Sequence, residues 1–340
     1  MKILILKPSS LGDVVQALPV LRLLKRRFPQ SEIHWWIDRK LLPLLENDPD
    51  LTGIFPFDRR APHTVRGWTQ ILNSVRAMRA QKFDWVIDLQ GLARSGAVAW
   101  LTKGAFSIGV NTDRECARGF YDCTVDRPSP NAHAVDWYLS VLRALDVPVH
   151  QDFEWLPARP VTTAAFQAKW PSNGSRWISI APGARWENKR WPIEHFTEMI
   201  RRLLAQDTRL RVAILGSNDD AVRGAALASV NASRCLDLTG QTTLPEMVEW
   251  VRRSDLLISN DTGTMHVAAA LRKPVVALFG PTNPFQTGPY GQQHQALRIG
   301  LPCAPCMKGR CNYEIPLECL RGIGPDRVTA EVLHRLNGAV

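Results

Sequence analysis

Short apolar runs recur along this chain with segments of helical period between them, and that alternation constrains the fold more than any single residue does. Lys2-Ile3-Leu4-Ile5-Leu6 reads as a buried strand. After a turn of small residues, a helix is predicted from Val14, with Val14, Ala17, Leu18, Leu21 and Phe28 on one face. Pro19 falls within its first two turns, where a late helix start would make it cheapest. Glu32–Ile37 and Ile54–Phe57 read as strands, Trp68–Ala80 as a helix, and Phe83–Asp88 as a strand. The turn Leu89-Gln90-Gly91 then leads into a helix of small residues through Trp100. Strands and helices alternating at these lengths predict a parallel sheet covered by helices on both faces.

From His150 to Ser175 the alternation stops. Pro157, Pro160 and Pro171 and the turn pair Asn173-Gly174 predict an interdomain linker. The pattern then restarts. Strands are predicted at Trp177–Ala181, Arg211–Leu215, Leu256–Ile258 and Val275–Phe279, and helices at Ile193–Ala205, Ala221–Val230 and Leu244–Arg253. A chain of 340 residues exceeds the size at which single cores stop growing. The expectation is two doubly wound α/β domains, residues 1–157 and 175–324, with a last helix over 325–340. In such sheets the loops after the strands are where ligands bind.

Charge narrows the partners. The net charge is +10, with 20 Lys+Arg against 15 Asp+Glu in residues 1–150 and 22 against 17 in the rest. An even positive excess favours anionic partners: phosphorylated substrates, acidic lipid surfaces or nucleic acid. The basic interval Arg59–Phe83 holds Arg59, Arg60, Arg66, Arg76, Arg79 and Lys82 and no carboxylate. It reads as a solvated helix face or an anionic-surface contact, and it lacks the motif a nucleic-acid binder would need. No secretion signal and no apolar run long enough to cross a membrane is present, and seven cysteines fit a reduced, cytoplasmic compartment. No glycine-rich dinucleotide fingerprint follows the first strand and no G-x-x-x-x-G-K-[ST] loop is present, which argues against nicotinamide chemistry and that kind of nucleotide hydrolysis.

Four constellations could carry chemistry. Ser259-Asn260-Asp261-Thr262-Gly263-Thr264-Met265-His266 joins a strand to a helix start, whose N–H groups and dipole favour an anion. Asp261 could grip sugar hydroxyls there, or could with Thr262 merely cap the helix. Ser9-Ser10-Leu11-Gly12-Asp13 puts a carboxylate at the end of the first strand, as a general base or as a helix cap. The basic loop Arg185–Arg190 offers Lys189 to a phosphate, or to solvent. Cys303, Cys306, Cys311 and Cys319 could bind a structural zinc, form an adventitious disulfide, or pack as reduced thiols.

Taken together these stretches resemble the lipopolysaccharide heptosyltransferases, glycosyltransferase family 9, along nearly the whole chain. The resemblance is carried by Ile3–Val14, Asp88-Leu89-Gln90-Gly91-Leu92, Lys189-Arg190-Trp191-Pro192, Ser259–Gly263 with His266, and Phe279-Gly280-Pro281-Thr282. The four-cysteine tail also looks like one seen in many members. The resemblance implies a GT-B fold: two Rossmann-like domains facing across a cleft, with a last helix that can pack back on the first domain. It implies inverting transfer of a heptose from ADP-L-glycero-β-D-manno-heptose to a Kdo-lipid A type inner core of lipopolysaccharide. The expected setting is the inner face of the cytoplasmic membrane, with no nucleic acid, cofactor or metal. Carried over residue by residue, Asp13 is the base. Lys189 and the helix start at Thr262–Gly263 hold the diphosphate. Ser9, Ser10, Gly12, Asp261 and His266 are substrate contacts. Ala184 and Arg185 stand where certain members have hydroxyl residues, a departure that bears on the phosphate contacts. A GT-B sugar-nucleotide epimerase and a non-enzymatic anionic-lipid module remain as alternatives, and the first or second heptose is left open.

Overall fold

The structure is a computed structural model and describes residues 1–58, 65–112, 115–171 and 174–338, without side chains for 65–68. It divides into two compact units, Met1–Trp155 and Leu156–Val340. Hydrogen bonds account for that boundary. Arg22, itself buried against Asp48 and Asp50, donates to the Trp155 carbonyl at 3.1 Å within the first unit. Arg252 donates to the Leu156 carbonyl at 2.8 Å within the second.

In the first unit, the described strands are β1 (Lys2–Leu6), β2 (Glu32–Asp38), β3 (Gly53–Phe57), β4 (Trp85–Asp88), β5 (Phe106–Val110) and β6 (Cys123–Val125). They form one sheet in the order β3-β2-β1-β4-β5-β6, every pair parallel. Central β1 places Ile5 opposite Trp35 of β2 and Ile87 of β4. Ile3, Leu4, Ile5 and Leu6 are all fully buried, as expected of a strand covered on both faces. Leu4 and Leu6 pack with Val75 and Met78 of helix Val65–Ala80 and with Val98 and Ala99 of helix Ala93–Thr102. Helix Leu11–Arg27 packs with helix Ala134–Ala144.

That first helix starts three residues before the expected Val14. Ser10 is its N-cap, so Gly12 and Asp13 lie in its first turn and Pro19 lies in its third. The proline costs a hydrogen bond there, and the buried residues around it hold the helix together regardless. Strands β5 and β6 and helix Ala134–Ala144 are absent from the reading of the sequence. The expectations for Arg59 and Arg60 lie outside the described residues.

In the second unit the described strands β7 (Arg176–Ala181), β8 (Leu210–Ile214), β9 (Cys235–Asp237), β10 (Leu256–Asn260) and β11 (Val275–Leu278) pair in parallel in the order β11-β10-β7-β8-β9. One expectation needs correcting. The stretch read as linker contains helix Pro160–Lys169, with Pro160 at its start, where a missing N–H costs nothing. Phe166 and Trp170 of this segment meet Trp250 edge-on, at 5.4 and 5.5 Å between ring centroids. The last helix, Pro325–Gly338, puts fully buried Val328 and Val332 into the core of this second unit, with Phe196, Met199, Ile200 and Leu203 of helix Ile193–Gln206. Its apolar stripe is used there. No helix among the described residues is long and apolar enough to cross a membrane.

Candidate active site

In both units the candidate residues sit at the carboxyl ends of the central strands. At the end of β1 the backbone passes through Lys7, Pro8 and Ser9 to the N-cap Ser10. The Ser10 N–H and hydroxyl both donate to Asp13 Oδ2, at 2.8 and 2.6 Å. The capping role weighed from the sequence is therefore real, but Asp13 fills it from the third helical position rather than as the N-cap. Its carboxylate remains half-buried, not sealed in. Ser9 and Gly12 flank it in the same loop and turn. Lys7 lies beneath the strand end, 3% exposed, donating to the Leu89 carbonyl at 2.9 Å with its ammonium 4.7 Å from the Tyr138 ring centroid.

At the end of β4 the fully buried Asp88 accepts the N–H groups of Gln90 and Gly91 at 2.7 and 3.2 Å and the Tyr121 hydroxyl at 2.7 Å. Burial raises the Asp88 carboxyl above the usual carboxylate range, against these hydrogen bonds. Burial and the Asp88 charge raise Tyr121, which keeps its proton and donates it. Gly91 has φ +65°, and a Cβ there would lie 2.5 Å from the Val110 carbonyl oxygen. Asp88-Leu89-Gln90-Gly91 is thus a turn locked by its own carboxylate.

In the second unit, the basic loop after β7 ends in a single 3-10 turn, Glu187–Lys189. Lys189 Nζ donates to Asp261 Oδ2 at 2.6 Å and stands 4.7 Å from the Trp186 ring centroid. Its side chain is 18% exposed and that of Asp261 7%. The Thr282 hydroxyl, after β11, donates to the same Asp261 oxygen at 2.7 Å. Fully buried Asn260 ties the loops together, accepting the Trp191 N–H at 3.0 Å and donating to the Pro182 carbonyl at 2.7 Å. Helix Gly263–Ala270 begins beside this cluster with Thr262 as an extended N-cap and no acidic residue in its first turn. His266 is buried in that helix. The Ala184 carbonyl accepts from Arg190 Nε at 2.9 Å, and Arg185 is exposed.

The structure thus joins Lys189, Asp261 and the helix start, and separately joins Ser10 and Asp13. Reading the sequence missed Lys7, Tyr138, Tyr121 and Thr282 as partners of these groups. A lysine ending an apolar run was the available signal for the first. The four tail cysteines are free thiols, Cys319 buried and the others half-buried. Burial and the nearby Cys311, Cys303 and Cys306 push the Cys319 thiol up to about 11. Among the described residues, no three or more His, Cys, Asp or Glu side chains are arranged to hold a metal ion.

Comparison with known proteins follows the same lines. The family model described as glycosyltransferase family 9 (heptosyltransferase) matches residues 71–315. Lipopolysaccharide heptosyltransferase 1 of Pseudomonas aeruginosa is 27% identical, over 98% of this chain and 97% of its own length. Lipopolysaccharide heptosyltransferase 2 of Salmonella typhimurium is 28% identical, over 99% of this chain and 98% of its own. Among solved structures, the ADP-heptose lipopolysaccharide heptosyltransferase II of E. coli superposes with a TM-score of 0.79 at 25% identity, covering 100% of this chain and 99% of that one.

Proposed function

The chain belongs to glycosyltransferase family 9, the heptosyltransferases, and we propose that it moves a heptose from ADP-L-glycero-β-D-manno-heptose to the inner core of lipopolysaccharide with inversion at the anomeric carbon. It is a glycosyltransferase of lipopolysaccharide core synthesis with the GT-B fold of its relatives. The donor, the stereochemistry and the residue roles are our reading. In that reading the acceptor hydroxyl gives its proton to Asp13 as its oxygen bonds to the anomeric carbon. The bond from that carbon to the β-phosphate oxygen breaks, and ADP leaves with the electron pair. The second unit receives the diphosphate and the first the acceptor.

The observation that carries this is the Lys189–Asp261 pair beside the start of helix Gly263–Ala270. An ammonium has three donors, and Asp261 fixes one of them. The others can face a phosphate, next to helix N–H groups and the positive end of a dipole. Charge developing on a leaving diphosphate needs such preorganised donors, and a lysine with a helix start can supply them without a metal. Asp261, Thr262 and His266 would contact the heptose or its phosphates, and Ser9, Ser10 and Gly12 the acceptor.

The deciding assay incubates purified protein with ADP-heptose and a Kdo-lipid A type acceptor. Expected are ADP and an acceptor heavier by one heptose in the α configuration. Release of an altered sugar nucleotide, or no turnover with this donor while another nucleotide sugar is used, would overturn the reading.

In this reading the acceptor is an anionic glycolipid and the enzyme works peripherally on the inner face of the cytoplasmic membrane. Exposed Arg76 and Arg79 on helix Val65–Ala80, and Trp100 at 52% exposure with Lys103 over its ring, support that setting. Each basic side chain near such a surface contributes about 1 kcal/mol, screened by salt. Reversing Arg76 and Arg79 to Glu together is expected to weaken binding to anionic vesicles by at least about tenfold at low salt, with ADP-heptose affinity unchanged. Unaltered vesicle binding would return these arginines to a solvated face.

A further inference from the structure

Residues 298–317 contain neither helix nor strand, a long irregular stretch for the inside of a compact unit. Cys303, Cys306 and Cys311 lie in it, and the proposed chemistry uses none of them. The segment is nonetheless held. Ile299, Leu301 and Ala304 pack against the core of the second unit, and the Leu317 N–H donates to Cys311 Sγ at 3.4 Å. Just beyond it, Cys319 and Leu320 press against Gly280 so closely that a Cβ there would stand 2.9 Å from Cys319 Sγ. A long irregular segment anchored at its ends is the kind of chain that serves a site.

Its middle meets both loops of the Lys189–Asp261 cluster. The Met307 N–H donates at 2.8 Å to the carbonyl of Pro281, the residue before Thr282, whose hydroxyl binds Asp261. On the other side, the Lys308 carbonyl accepts Asn188 Nδ2 at 2.8 Å, and Asn188 is the residue before Lys189. Gly309 then lies against Trp186, where a Cβ would stand 3.6 Å from the ring. Lys189 Nζ is 4.7 Å from the centroid of that same ring.

The local geometry explains why Asn188 makes this bond. With three residues per 3-10 turn, Glu187, Asn188 and Lys189 point in three directions. The Glu187 side chain is exposed, Lys189 turns to Asp261, and Asn188 turns inward at 5% exposure. Asn188 Oδ1 has no hydrogen-bond partner among the described residues. An amide buried with one end unpaired is a poor stabiliser, and an apolar side chain of its size would cost less. What the amide supplies is direction. Its one donor ties the turn that carries Lys189 to a segment that also ties the loop carrying Thr282.

We propose that Asn188 is a positioning residue for Lys189, and that the cysteine-bearing segment is the clasp to which it is tied. The clasp fixes the ammonium before the donor arrives, which is when a preorganised group is worth most. This rests on the reading of Lys189 as the stabiliser of the leaving diphosphate. Asn188 transfers nothing and acts only through the turn.

The test joins hydrogen exchange to a double-mutant cycle in the full chain, with a thermal melt of each variant. The Lys189 and Arg190 N–H groups donate to the Trp186 and Glu187 carbonyls at 3.1 and 3.0 Å. In Asn188→Ala they should exchange at least about tenfold faster than in wild type. Turnover, kcat, should fall by about tenfold with the KM for the acceptor unchanged. In a Lys189→Ala background the same substitution should change kcat by less than about twofold, because the group it positions is gone. Equal losses in both backgrounds, or unchanged exchange at Lys189 and Arg190, would overturn the proposal and make Asn188 a packing residue. Should Asn188→Ala not fold, Asn188→Ser, too short to reach the Lys308 carbonyl, carries the same measurements. A Lys189→Ala protein with near-wild-type turnover would be a different result. The diphosphate reading itself would then fail, while the exchange rates would still decide whether Asn188 holds the turn.

Discussion

The two units differ in which charge they bury at the ends of their central strands. In the first unit the cation, Lys7, is buried at 3% exposure and the carboxylate, Asp13, is the more accessible group. In the second the carboxylate, Asp261, is the buried member at 7% and the cation, Lys189, is the more accessible at 18%. Burial decides which charge a substrate can meet. A strand end that offers a carboxylate suits proton removal from a hydroxyl. One that offers an ammonium beside a helix start suits a departing diphosphate. The proposed roles of Asp13 as base and Lys189 as diphosphate stabiliser follow that difference in burial.

The comparison can be broken most severely at Lys189. Lys189→Ala removes the accessible cation of the second unit, and kcat is expected to fall by about a hundredfold or more, as for the loss of one electrostatic stabiliser. Steady-state kinetics with saturating acceptor measures it, and near-wild-type turnover would place Lys189 on an ordinary solvated surface. Asp261→Asn sharpens the contrast. It leaves the cation but removes the charge that holds it, so the expected loss in kcat is smaller, about tenfold, from misplacement alone. A loss equal to that of Lys189→Ala would give Asp261 a chemical role of its own.

The smallest effect concerns stability and only the first unit. His34 on β2 is buried between Phe55 and Phe83, at 5.6 and 5.3 Å between ring centroids, and neither ring nitrogen has a hydrogen-bond partner. Burial lowers its pKa below the ordinary 6.5. The unfolded chain therefore takes up the proton first, and the stability that goes with a neutral His34 is present above about pH 6.5 and lost as pH falls through the folded value. Between pH 7 and pH 5.5, His34→Leu should lose about 2 °C less in melting temperature than wild type. Parallel curves for the two proteins would mean that His34 is not titrating in this range.

Much of this was legible in the sequence, for physical reasons that differ from place to place. β1 and β10 announce themselves because a strand buried on both faces is apolar throughout. Lys189 and Asp261 were legible as residues of a basic loop and a strand end, but not as partners, because 72 residues separate them in sequence and only the parallel register of β7 and β10 brings them together. Helix Pro160–Lys169 was hidden by its own prolines, which punctuate a linker and a helix start alike. Pro19 misled in the other direction, since burial on a packed face outweighs the hydrogen bond it removes. Strand β6 has three residues, too few to show a period. Lys7 was illegible because its type and position both indicate solvent, and only the packing of Tyr138 and the Leu89 carbonyl against it, far along the chain, shows it to be a buried charge.

The central claim is that the first unit presents a carboxylate that does chemistry, and Asp13→Asn tests it most directly. Asparagine can still accept from the Ser10 N–H, so the helix cap and the melting temperature should be nearly unchanged. ADP-heptose should bind as it does to wild type, because the proposed donor contacts belong to the second unit. Transfer from bound ADP-heptose, measured in a single turnover, should slow by at least about a hundredfold, the range expected for losing a general base. A folded Asp13→Asn protein that transfers heptose at the wild-type rate would contradict the account and leave Asp13 as a helix cap alone.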